Sequence, residues 1–493
     1  MKHVPTRLFI GLTLLLSACG APLSTLDATS SDLQALGGGT KTTAPAAQMV
    51  LTTADAKNLL ARQSDLSFRA DAGSTTYTID VDTTRTYQEI AGFGAALTES
   101  SAWLLNSKLD ATRRSEVLRK LFDPALGIGL SYLRVPMGAS DFALGSYTYD
   151  DVPAGQTDET LANFSVARDE QDVLPTARAI RAVSARVRFM ASPWSAPAWM
   201  KTSGTLSGGS LKPETYDAYA RYFLKFVRAY EASGVPIDAV TLQNEPHHET
   251  TAYPSMRFEA SDAARFVGQH LGPTFQAAGL QTKLLGWDHN WDEPSYAQTL
   301  LSDAAASSYL AGSAFHCYAG DVSAQSTVQA AWPTKDVYFT ECSGGGWATN
   351  FGDNLKWNVE NLVIGATRNW AKTVLLWNLA LDDVGGPTNG GCGNCRGVVT
   401  IPSDGSAIRY NVEYYALGHA AKFVSPGARR VASTTFGVGN VQSVAFRNPN
   451  GTRALIVLNG ASESRSVKVR EAGKSFTVML VPGAVATFTW APL

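Results

Sequence analysis

Two short apolar runs in this chain each end in a glutamate. Residues 237–242 lead into Gln243-Asn244-Glu245-Pro246, and residues 337–339 lead into Thr340-Glu341-Cys342. Both runs have the length and composition of buried strands. Carboxylates at the C-terminal ends of two barrel strands suit the cleavage of a glycosidic bond, because one group protonates the leaving oxygen while the other meets the positive charge that develops on the sugar. The pattern therefore predicts Glu245 and Glu341 as a catalytic pair.

Polar and aromatic residues follow most of the other apolar runs as well. Any single one has an ordinary explanation, because a strand-end glutamate is often salt-bridged and a buried arginine is often half of an ion pair. Their accumulation at strand after strand favours a site. There, Arg134 would keep a carboxylate ionised, Asn244 would hydrogen-bond a sugar 2-hydroxyl, and His316 would orient a neighbour rather than bind a metal. The same strand ends hold Asp141, Trp194, Trp287-Asp288-His289-Asn290, Tyr318 and Trp377.

Eight short apolar runs recur along residues 90–378, and helical patterns separate most of them. The clearest helical pattern spans residues 213–231, where aromatic residues recur at helical spacing. Eight strand–helix units imply an α/β fold of the (β/α)8 TIM-barrel type, to which we assign residues 90–425. The predicted strands are 90–94, 130–136, 187–192, 237–242, 283–288, 314–316, 337–341 and 373–378.

The pattern changes after about residue 426. Short alternating runs follow one another, separated by turns such as Asn448-Pro449-Asn450-Gly451, which indicates an all-β module over residues 426–493, interpreted as a β-sandwich. An alternating run near Thr75 precedes the barrel and has no helical partner. We therefore expect residues 49–89 to contribute to the sandwich.

The N-terminus has the character of a targeting segment. Lys2 and Arg7 precede an apolar run that is too short to span a membrane, and small residues follow, so residues 1–19 are predicted as a signal peptide. The end of this segment, Leu16-Ser17-Ala18-Cys19-Gly20, resembles a bacterial lipoprotein signal in which Cys19 would be lipidated. An ordinary signal cut nearby is the alternative. Residues 20–48 are expected to be a flexible linker, and the protein is expected outside the cytoplasm, lipid-anchored or secreted.

Composition limits the other possibilities. The 493 residues carry a formal net charge of -2, so nothing indicates a nucleic-acid partner. No cofactor and no metal site are predicted, because neither a His-Glu-x-x-His motif nor a phosphate-binding loop occurs. Of the five cysteines, Cys392 and Cys395 suit a short disulfide in an exported protein, and a structural zinc would need a second ligand pair. Cys342 is interpreted as a pocket wall.

Several motifs, in order along the chain, resemble glycoside hydrolase family 30, which includes lysosomal glucocerebrosidase and microbial endo-β-1,6-glucanases. The resemblance implies a (β/α)8 barrel joined to a β-sandwich, with Glu245 as acid/base and Glu341 as nucleophile. It also implies that Arg134, Asp141, Trp194, Asn244, His316, Tyr318 and Trp377 line the glucose site. The matching segments are Ile90-Ala91-Gly92-Phe93-Gly94, Arg134-Val135-Pro136-Met137, residues 191–197, residues 243–246 and Trp377-Asn378-Leu379-Ala380-Leu381.

The chain departs from glucocerebrosidase at Gln243, at Trp287-Asp288-His289-Asn290 and in the loop that carries Cys392 and Cys395. These departures favour a β-glucan over a lipid-linked β-glucoside as substrate. Two alternatives stay open at this point. One is a xylan-type β-glycosidase of the same family, and the other is a non-catalytic glycan-binding protein, which would need the aromatic residues but not both glutamates.

Overall fold

The computed structural model describes residues 45–493. The predicted signal peptide (residues 1–19), the lipidation site Cys19 and residues 20–44 of the expected linker lie outside the described residues. Within residues 45–493, no helix is both long enough and apolar enough to cross a membrane.

Eight parallel strands form the barrel, and the predicted fold class is confirmed. We number them barrel strands one to eight. Each pairs in parallel with its neighbour, and strand eight pairs with strand one, where Thr373 lies opposite Gly92. Strands seven and eight meet through a bridge between Val337 and Ala371. The bounds are Gly92–Ala96, Tyr132–Met137, Arg188–Pro193, Ile237–Thr241, Lys283–Asn290, Leu310–His316, Asp336–Glu341 and Thr373–Leu376.

The barrel interior is filled by side chains, as expected for eight strands. One cluster of these side chains contains Tyr132, Met190, Leu285, Tyr338 and Leu375, all fully buried. A glycine is required at Gly94 because a β-carbon there would lie 1.8 Å from the backbone oxygen of Tyr132. The close approach of strands one and two therefore depends on that residue.

The helices pack around the barrel. Tyr216–Ala232 buries one aromatic face, including Tyr219, Phe223 and Phe226, which explains its pattern in the sequence. Two helices contain π-helical turns, at Val267–Leu271 and Asn358–Ala366. The α-helices are Glu99–Ser107, Ala111–Phe122, Val173–Val183, Tyr216–Ala232, Ala260–Phe266, Gly272–Ala277, Pro294–Ser302, Ala304–Tyr309, Ala324–Ala331, Phe351–Trp357 and Val412–Ala421, and short 3₁₀ turns lie at Ala198–Met200 and Pro213–Thr215.

A second body of β-strands packs beside the barrel around its own core, which includes Ile79, Leu455, Val467 and Phe488. Its strands are Ala46–Thr52, Ala61–Arg62, Leu66–Ser67, Arg69–Ala70, Thr78–Glu89, Arg429–Ser433, Val441–Arg447, Arg453–Asn459, Arg465–Glu471, Lys474–Leu480 and Val485–Trp490. Short strands at Gly344–Gly345, Cys395–Arg396, Ala380–Leu381, Val399–Thr400 and Arg409–Tyr410 pair in the loops above the barrel.

The N-terminal segment is part of this β-body. Ala46–Thr52 pairs with Val485–Trp490, and Thr78–Glu89 pairs with both Arg429–Ser433 and Arg465–Glu471. The expected linker, residues 20–48, therefore extends too far. Residues 46–48 read as linker because they are small or polar, yet Ala47 is fully buried in the β-core. His419 joins the two bodies, since its ring nitrogens lie 2.9 Å and 2.8 Å from the hydroxyls of Thr487 and Thr52.

Candidate active site

The two glutamates lie at the C-terminal ends of barrel strands four and seven and face one cavity of about 340 Å³. The loops that follow the strands build the rest of the wall. Its lining residues are Asp141, Glu245, His248, Tyr253, Tyr318, Glu341, Ser343, Trp347, Trp377, Cys392 and Cys395.

The separation of the two carboxyl groups fits one stereochemical outcome. One carboxyl oxygen of Glu245 lies within 4.8 Å of one carboxyl oxygen of Glu341. Retaining glycosidases place the two groups about 5–5.5 Å apart, whereas inverting enzymes need about 6.5–9.5 Å to admit a water molecule. The close approach of these two oxygens fits the shorter spacing of retaining enzymes.

Arg134, from barrel strand two, holds the Glu341 carboxyl group in place. Its side chain is fully buried, and one terminal nitrogen donates to Glu341 Oε2. The other terminal nitrogen donates to Asn244 Oδ1 at 2.6 Å and to Asp288 Oδ2 at 2.8 Å. The guanidinium also lies 4.9 Å from the ring centre of Trp194. Because the planar group has donors in several directions, it holds strands four, five and seven in a single arrangement.

Asp288, at the end of barrel strand five, is the buried centre of this network. Its Oδ1 accepts from His316 Nε2 at 3.1 Å and from Thr340 at 2.7 Å. Its Oδ2 accepts from Arg134, and also from the hydroxyls of Ser192 and Thr241 at 2.9 Å and 2.6 Å. Burial alone would raise the pKa of Asp288, but the charges of Arg134 and His316 and these hydrogen bonds hold it far below the usual range. The group is thus a permanent anion beneath the cavity.

His316 connects this anion to Glu245. Its Nδ1 lies 3.1 Å from Glu245 Oε1, and its Nε2 lies on Asp288. Burial lowers the pKa of His316, but the charges of Glu341 and Asp288 and the hydrogen bonds to Asp288 and Glu245 outweigh it and raise the pKa to about 9. The ring is therefore protonated at neutral pH, and both nitrogens donate.

The two glutamates compete for one proton. Burial and the Glu245 carboxylate raise the pKa of Glu341, against the charges of His316 and Arg134. Burial acts on Glu245 too, but the hydrogen bond and charge of His316 outweigh it and lower its pKa. These directions favour a proton on Glu341, whereas the hydrogen bonds favour the opposite arrangement.

We assign the proton to Glu245 because both oxygens of Glu341 already accept hydrogen bonds. Arg134 donates to one, and the Tyr318 hydroxyl donates to the other at 2.8 Å, so a proton on Glu341 would displace a donor. Glu245 has room for a proton, because only its Oε1 accepts a hydrogen bond within the part of the chain that the structure describes. The side chain of Glu245 is 16% exposed, and it lines the cavity.

The backbone around Glu245 adopts a conformation that side chains disfavour. Glu245, Trp287, Asp288 and Asn378 have φ values of 44°, 65°, 88° and 64°, and such left-handed residues cluster at functional sites. The backbone N–H of Glu245 donates to the Asp288 carbonyl at 3.0 Å. His289 Nε2 lies 3.8 Å from Glu245 Oε1, and burial lowers the pKa of His289 to about 4, so it faces Glu245 as a neutral ring.

The remaining predicted residues divide between the cavity wall and its support. Asp141, Tyr318 and Trp377 line the cavity. Burial, followed by the charges of Glu341 and Glu245, raises the pKa of Asp141 well above its usual range. Trp194 is not part of the described lining. Its ring is 3% exposed and stacks on Trp377 at a centroid distance of 5.0 Å.

Other parts of the site were not predicted from the sequence. Tyr253 lines the cavity, and its hydroxyl forms a 2.9 Å hydrogen bond with His248 Nε2. A disulfide joins Cys317 and Cys342, the residues that follow His316 and Glu341. The second disulfide, Cys392–Cys395, is the one that the sequence did suggest. The position of Cys342 directly after the strand-seven glutamate was a signal of a structural role, but the pairing itself was not readable.

Glu245, His316 and Glu341 place one ligand atom each within 4.8 Å of one another, a spacing that a cation could bridge. Arg134 and the protonated His316 already supply positive charge there, and they would repel a further cation. The cluster is therefore better explained as an acid–nucleophile pair. Together with the barrel, it defines a glycoside hydrolase of the retaining type.

Comparison with known proteins identifies the family. Residues 90–424 match the glycosyl hydrolase family 30 TIM-barrel domain, and residues 427–488 match the family 30 β-sandwich domain. The chain belongs to glycoside hydrolase family 30.

Similar proteins of two kinds are found. Endo-1,6-β-D-glucanase neg1 of Aspergillus fumigatus is 34% identical over 409 residues, which is 78% of this chain and 80% of that protein. Lysosomal acid glucosylceramidase of Mus musculus is 30% identical over 437 residues, 82% of this chain and 81% of that protein. The solved structure of the endo-β1,6-glucanase BT3312 aligns with a TM-score of 0.85 and 32% identity, covering 91% of this chain and all of that one.

Proposed function

We propose that this protein is an exported endo-β-1,6-glucanase that uses Glu341 as nucleophile and Glu245 as acid/base. The observation that carries the chemistry is that one oxygen of the Glu245 carboxyl group, just beyond barrel strand four, lies within 4.8 Å of one oxygen of Glu341, at the end of barrel strand seven. The likeness to solved and curated endo-1,6-β-glucanases supports the substrate.

In the first step, a glucose unit occupies the cavity with its anomeric carbon above Glu341. The carboxylate of Glu341 attacks that carbon while Glu245 transfers its proton to the departing glycosidic oxygen. Arg134 and Tyr318 keep Glu341 oriented and ionised, since both its oxygens accept their hydrogen bonds. The products of this step are a glucosyl ester on Glu341 and the released part of the chain.

In the second step, Glu245 acts as a base. It takes a proton from water, and that water attacks the anomeric carbon and releases Glu341. His316 supports both states of Glu245, because its Nδ1–H donates to the carboxyl group whether or not the other oxygen carries a proton. Two inversions give a product with the original β configuration.

The cavity wall supplies the sugar contacts. The Trp377 ring offers an apolar face to the sugar, and Trp194 supports it by stacking from behind. Asp141 accepts hydrogen bonds from sugar hydroxyls when it is ionised and donates one to them when it is protonated. Asn244 binds the 2-hydroxyl through its amide N–H groups, since its carbonyl oxygen is occupied by Arg134.

The N-terminal sequence supports an extracytoplasmic location. Basic residues, an apolar run and the Leu-Ser-Ala-Cys segment that ends at Cys19 are typical of an exported lipoprotein. Lipidation of Cys19 would tether the enzyme to a membrane while the catalytic barrel stays in the aqueous phase. Mass spectrometry of the mature N-terminus tests this, since an unmodified N-terminus downstream of Cys19 would indicate ordinary secretion.

The first experiment measures products from three substrates: β-1,6-glucan, an aryl β-glucoside and glucosylceramide. Mixed oligosaccharides from the glucan with little ceramide release are expected. Ceramide release with an intact glucan would refute the proposed substrate and favour a glucosylceramidase, the activity named for the mouse relative. NMR of the initial product is expected to show the β anomer.

The catalytic assignment is tested by Glu341→Gln and Glu245→Gln. Glu341→Gln is expected to lose activity on every substrate, and full activity in that variant would refute the assignment. Glu471→Gln is a matched control, because Glu471 is also buried and bound to an arginine, Arg453, but lies in the β-body. It is expected to lose stability and keep its activity.

A further inference from the structure

A second depression lies against the catalytic cavity. Its volume is about 470 Å³, and it shares Tyr318, Ser343 and Trp347 with the cavity. We name it the Trp357 groove. Its other lining residues are Cys317, Cys342, Gly344, Ala348, Asp353, Asn354, Trp357 and Asn358. Because these three residues line both depressions, the two adjoin, and an extended ligand can lie across them.

Aromatic surface is unusually open here. Trp357 is 43% exposed and Trp347 is 58% exposed, and these are the two exposed tryptophans among residues 45–493. The hydroxyl-bearing ring of Tyr318 is 46% exposed between groove and cavity. Open indole rings next to a catalytic cavity mark a binding surface, since an indole left in water has an apolar face without a partner.

A disulfide and a helical segment build the lining of the groove. The Cys317–Cys342 disulfide is part of that lining and links the chain just after His316 to the chain just after Glu341. One wall is a continuous helical segment, residues 351–366, which carries Asp353, Trp357 and Asn358. A preformed surface of this kind needs little ordering when a ligand binds.

The polar groups of the groove distinguish a sugar from an acyl chain. The Asp353 carboxylate is exposed and accepts no hydrogen bond from the described residues, and it forms no ion pair with them. An acyl chain laid against it would remove water from a charged group without replacing its hydrogen bonds. A sugar provides both surfaces, because its C–H face stacks on an indole while its hydroxyls donate to a carboxylate.

We propose that the Trp357 groove binds glucose units of the glucan chain next to the unit held in the catalytic cavity, with Trp357 as the stacking platform and Asp353 as the hydroxyl acceptor. This inference rests on the proposed function and extends it, because it assigns the residues that make the enzyme prefer chains over single glucosides.

The test compares a substrate that fills only the cavity with one that reaches the groove. β-Glucosyl fluoride serves as the first, and a β-1,6-linked oligosaccharide of five or more glucose units serves as the second. In Trp357→Ala, kcat/KM is expected to fall about fivefold or more for the oligosaccharide and to stay within twofold for the fluoride. Trp357→Phe is the matched control, since it keeps an aromatic face and should recover most of the loss. Asp353→Asn should show a smaller selective loss.

Equal effects on both substrates, or none on either, would overturn the proposal. A different result would refute the proposed function rather than the groove: hydrolysis of the fluoride, but of no β-1,6-linked oligosaccharide, by the unaltered enzyme. In that case the same comparison is made with glucosylceramide in detergent micelles. A selective loss there in Trp357→Ala would overturn the sugar assignment in favour of an acyl chain, and no selective loss would overturn the groove as a binding site.

Discussion

Replacing Asp288 by asparagine tests whether a buried anion sets the protonation of the catalytic site. Asp288 is fully buried and accepts hydrogen bonds from two cationic groups and three hydroxyls. Asparagine has the same shape, but one of its two terminal atoms is a donor that would face other donors. It would also leave the buried guanidinium of Arg134 with one carboxylate partner, Glu341. Breaking a buried pair in this way costs about 3–5 kcal/mol of unfolding free energy.

The more specific expectation concerns His316. Its pKa of about 9, against an ordinary 6.5, corresponds to about 3 kcal/mol of stability that is present below pH 6.5 and is lost as pH rises through 9. Asp288 supplies one of the hydrogen bonds and one of the charges that raise this pKa. In Asp288→Asn, the pKa of His316 should fall by about one unit or more, and the alkaline limb of the pH–rate profile should move to lower pH.

The assays are urea unfolding, the pH dependence of kcat/KM and NMR titration of the histidine rings. Asp238→Asn is the control, because Asp238 is a partly buried carboxylate of the same barrel that bonds Lys283 and Tyr132. That variant should lose stability without moving the alkaline limb. An alkaline limb that stays in place in Asp288→Asn, with an unfolding free energy within about 1 kcal/mol of the wild type, would refute the reasoning.

Three further predictions follow from the packing. Serine at both Cys317 and Cys342 should lower the unfolding free energy, measured by urea unfolding, by about 3 kcal/mol, because that disulfide closes a loop with a sequence separation of 25. The Cys392–Cys395 disulfide closes a loop with a separation of 3, so its removal should cost less. Burial lowers the pKa of His419 to about 3, so its neutral form stabilises the fold above pH 6.5. Between pH 6.5 and about pH 3, each pH unit of acidification should lower the unfolding free energy by about 1.4 kcal/mol. If His419→Gln has the same acid dependence of stability as the unaltered protein, this prediction is wrong. Gly94→Ala should give no soluble barrel, since the new β-carbon would lie 1.8 Å from a backbone oxygen; normal expression and circular dichroism would show that strands one and two can separate.

The barrel was predictable because most of its strands are nearly continuous apolar runs, which is the pattern of strands buried on both faces. The strand bounds were less so. Barrel strand six spans Leu310–His316, but only residues 314–316 were predicted, because Ala311-Gly312-Ser313 is a run of small residues with weak strand preference. Gly312 is nevertheless required, since a β-carbon there would lie 1.9 Å from the Asp336 carbonyl oxygen.

The predicted site residues come together because one rule, that barrel strands present their C-terminal ends to one face, places them. The sequence does not show which of these residues line the cavity and which lie buried behind its wall. Trp194 and Trp377 look alike as strand-end tryptophans, yet Trp377 lines the cavity and Trp194 is stacked behind it. Asp288 belongs to the strand-end segment Trp287-Asp288-His289-Asn290, but the sequence does not show that it is the centre of the buried hydrogen-bond network. That position depends on the left-handed backbone at Trp287 and Asp288, which brings its side chain to Arg134. Such a conformation has no signature in residue type.

The pairing of Ala46–Thr52 with Val485–Trp490 has a consequence for biogenesis. The first strand of the β-body leaves the ribosome almost a whole chain length before its partner. Thr78–Glu89 likewise pairs only with strands that lie beyond residue 428. The barrel can close while these N-terminal strands are still unpaired. Completion of the β-body then becomes the late step, and until it occurs Ala47 and Met49, both buried in the finished protein, remain exposed to chaperones and proteases. Deleting the last strand should therefore expose the N-terminal strand to proteolysis while leaving the barrel strands protected.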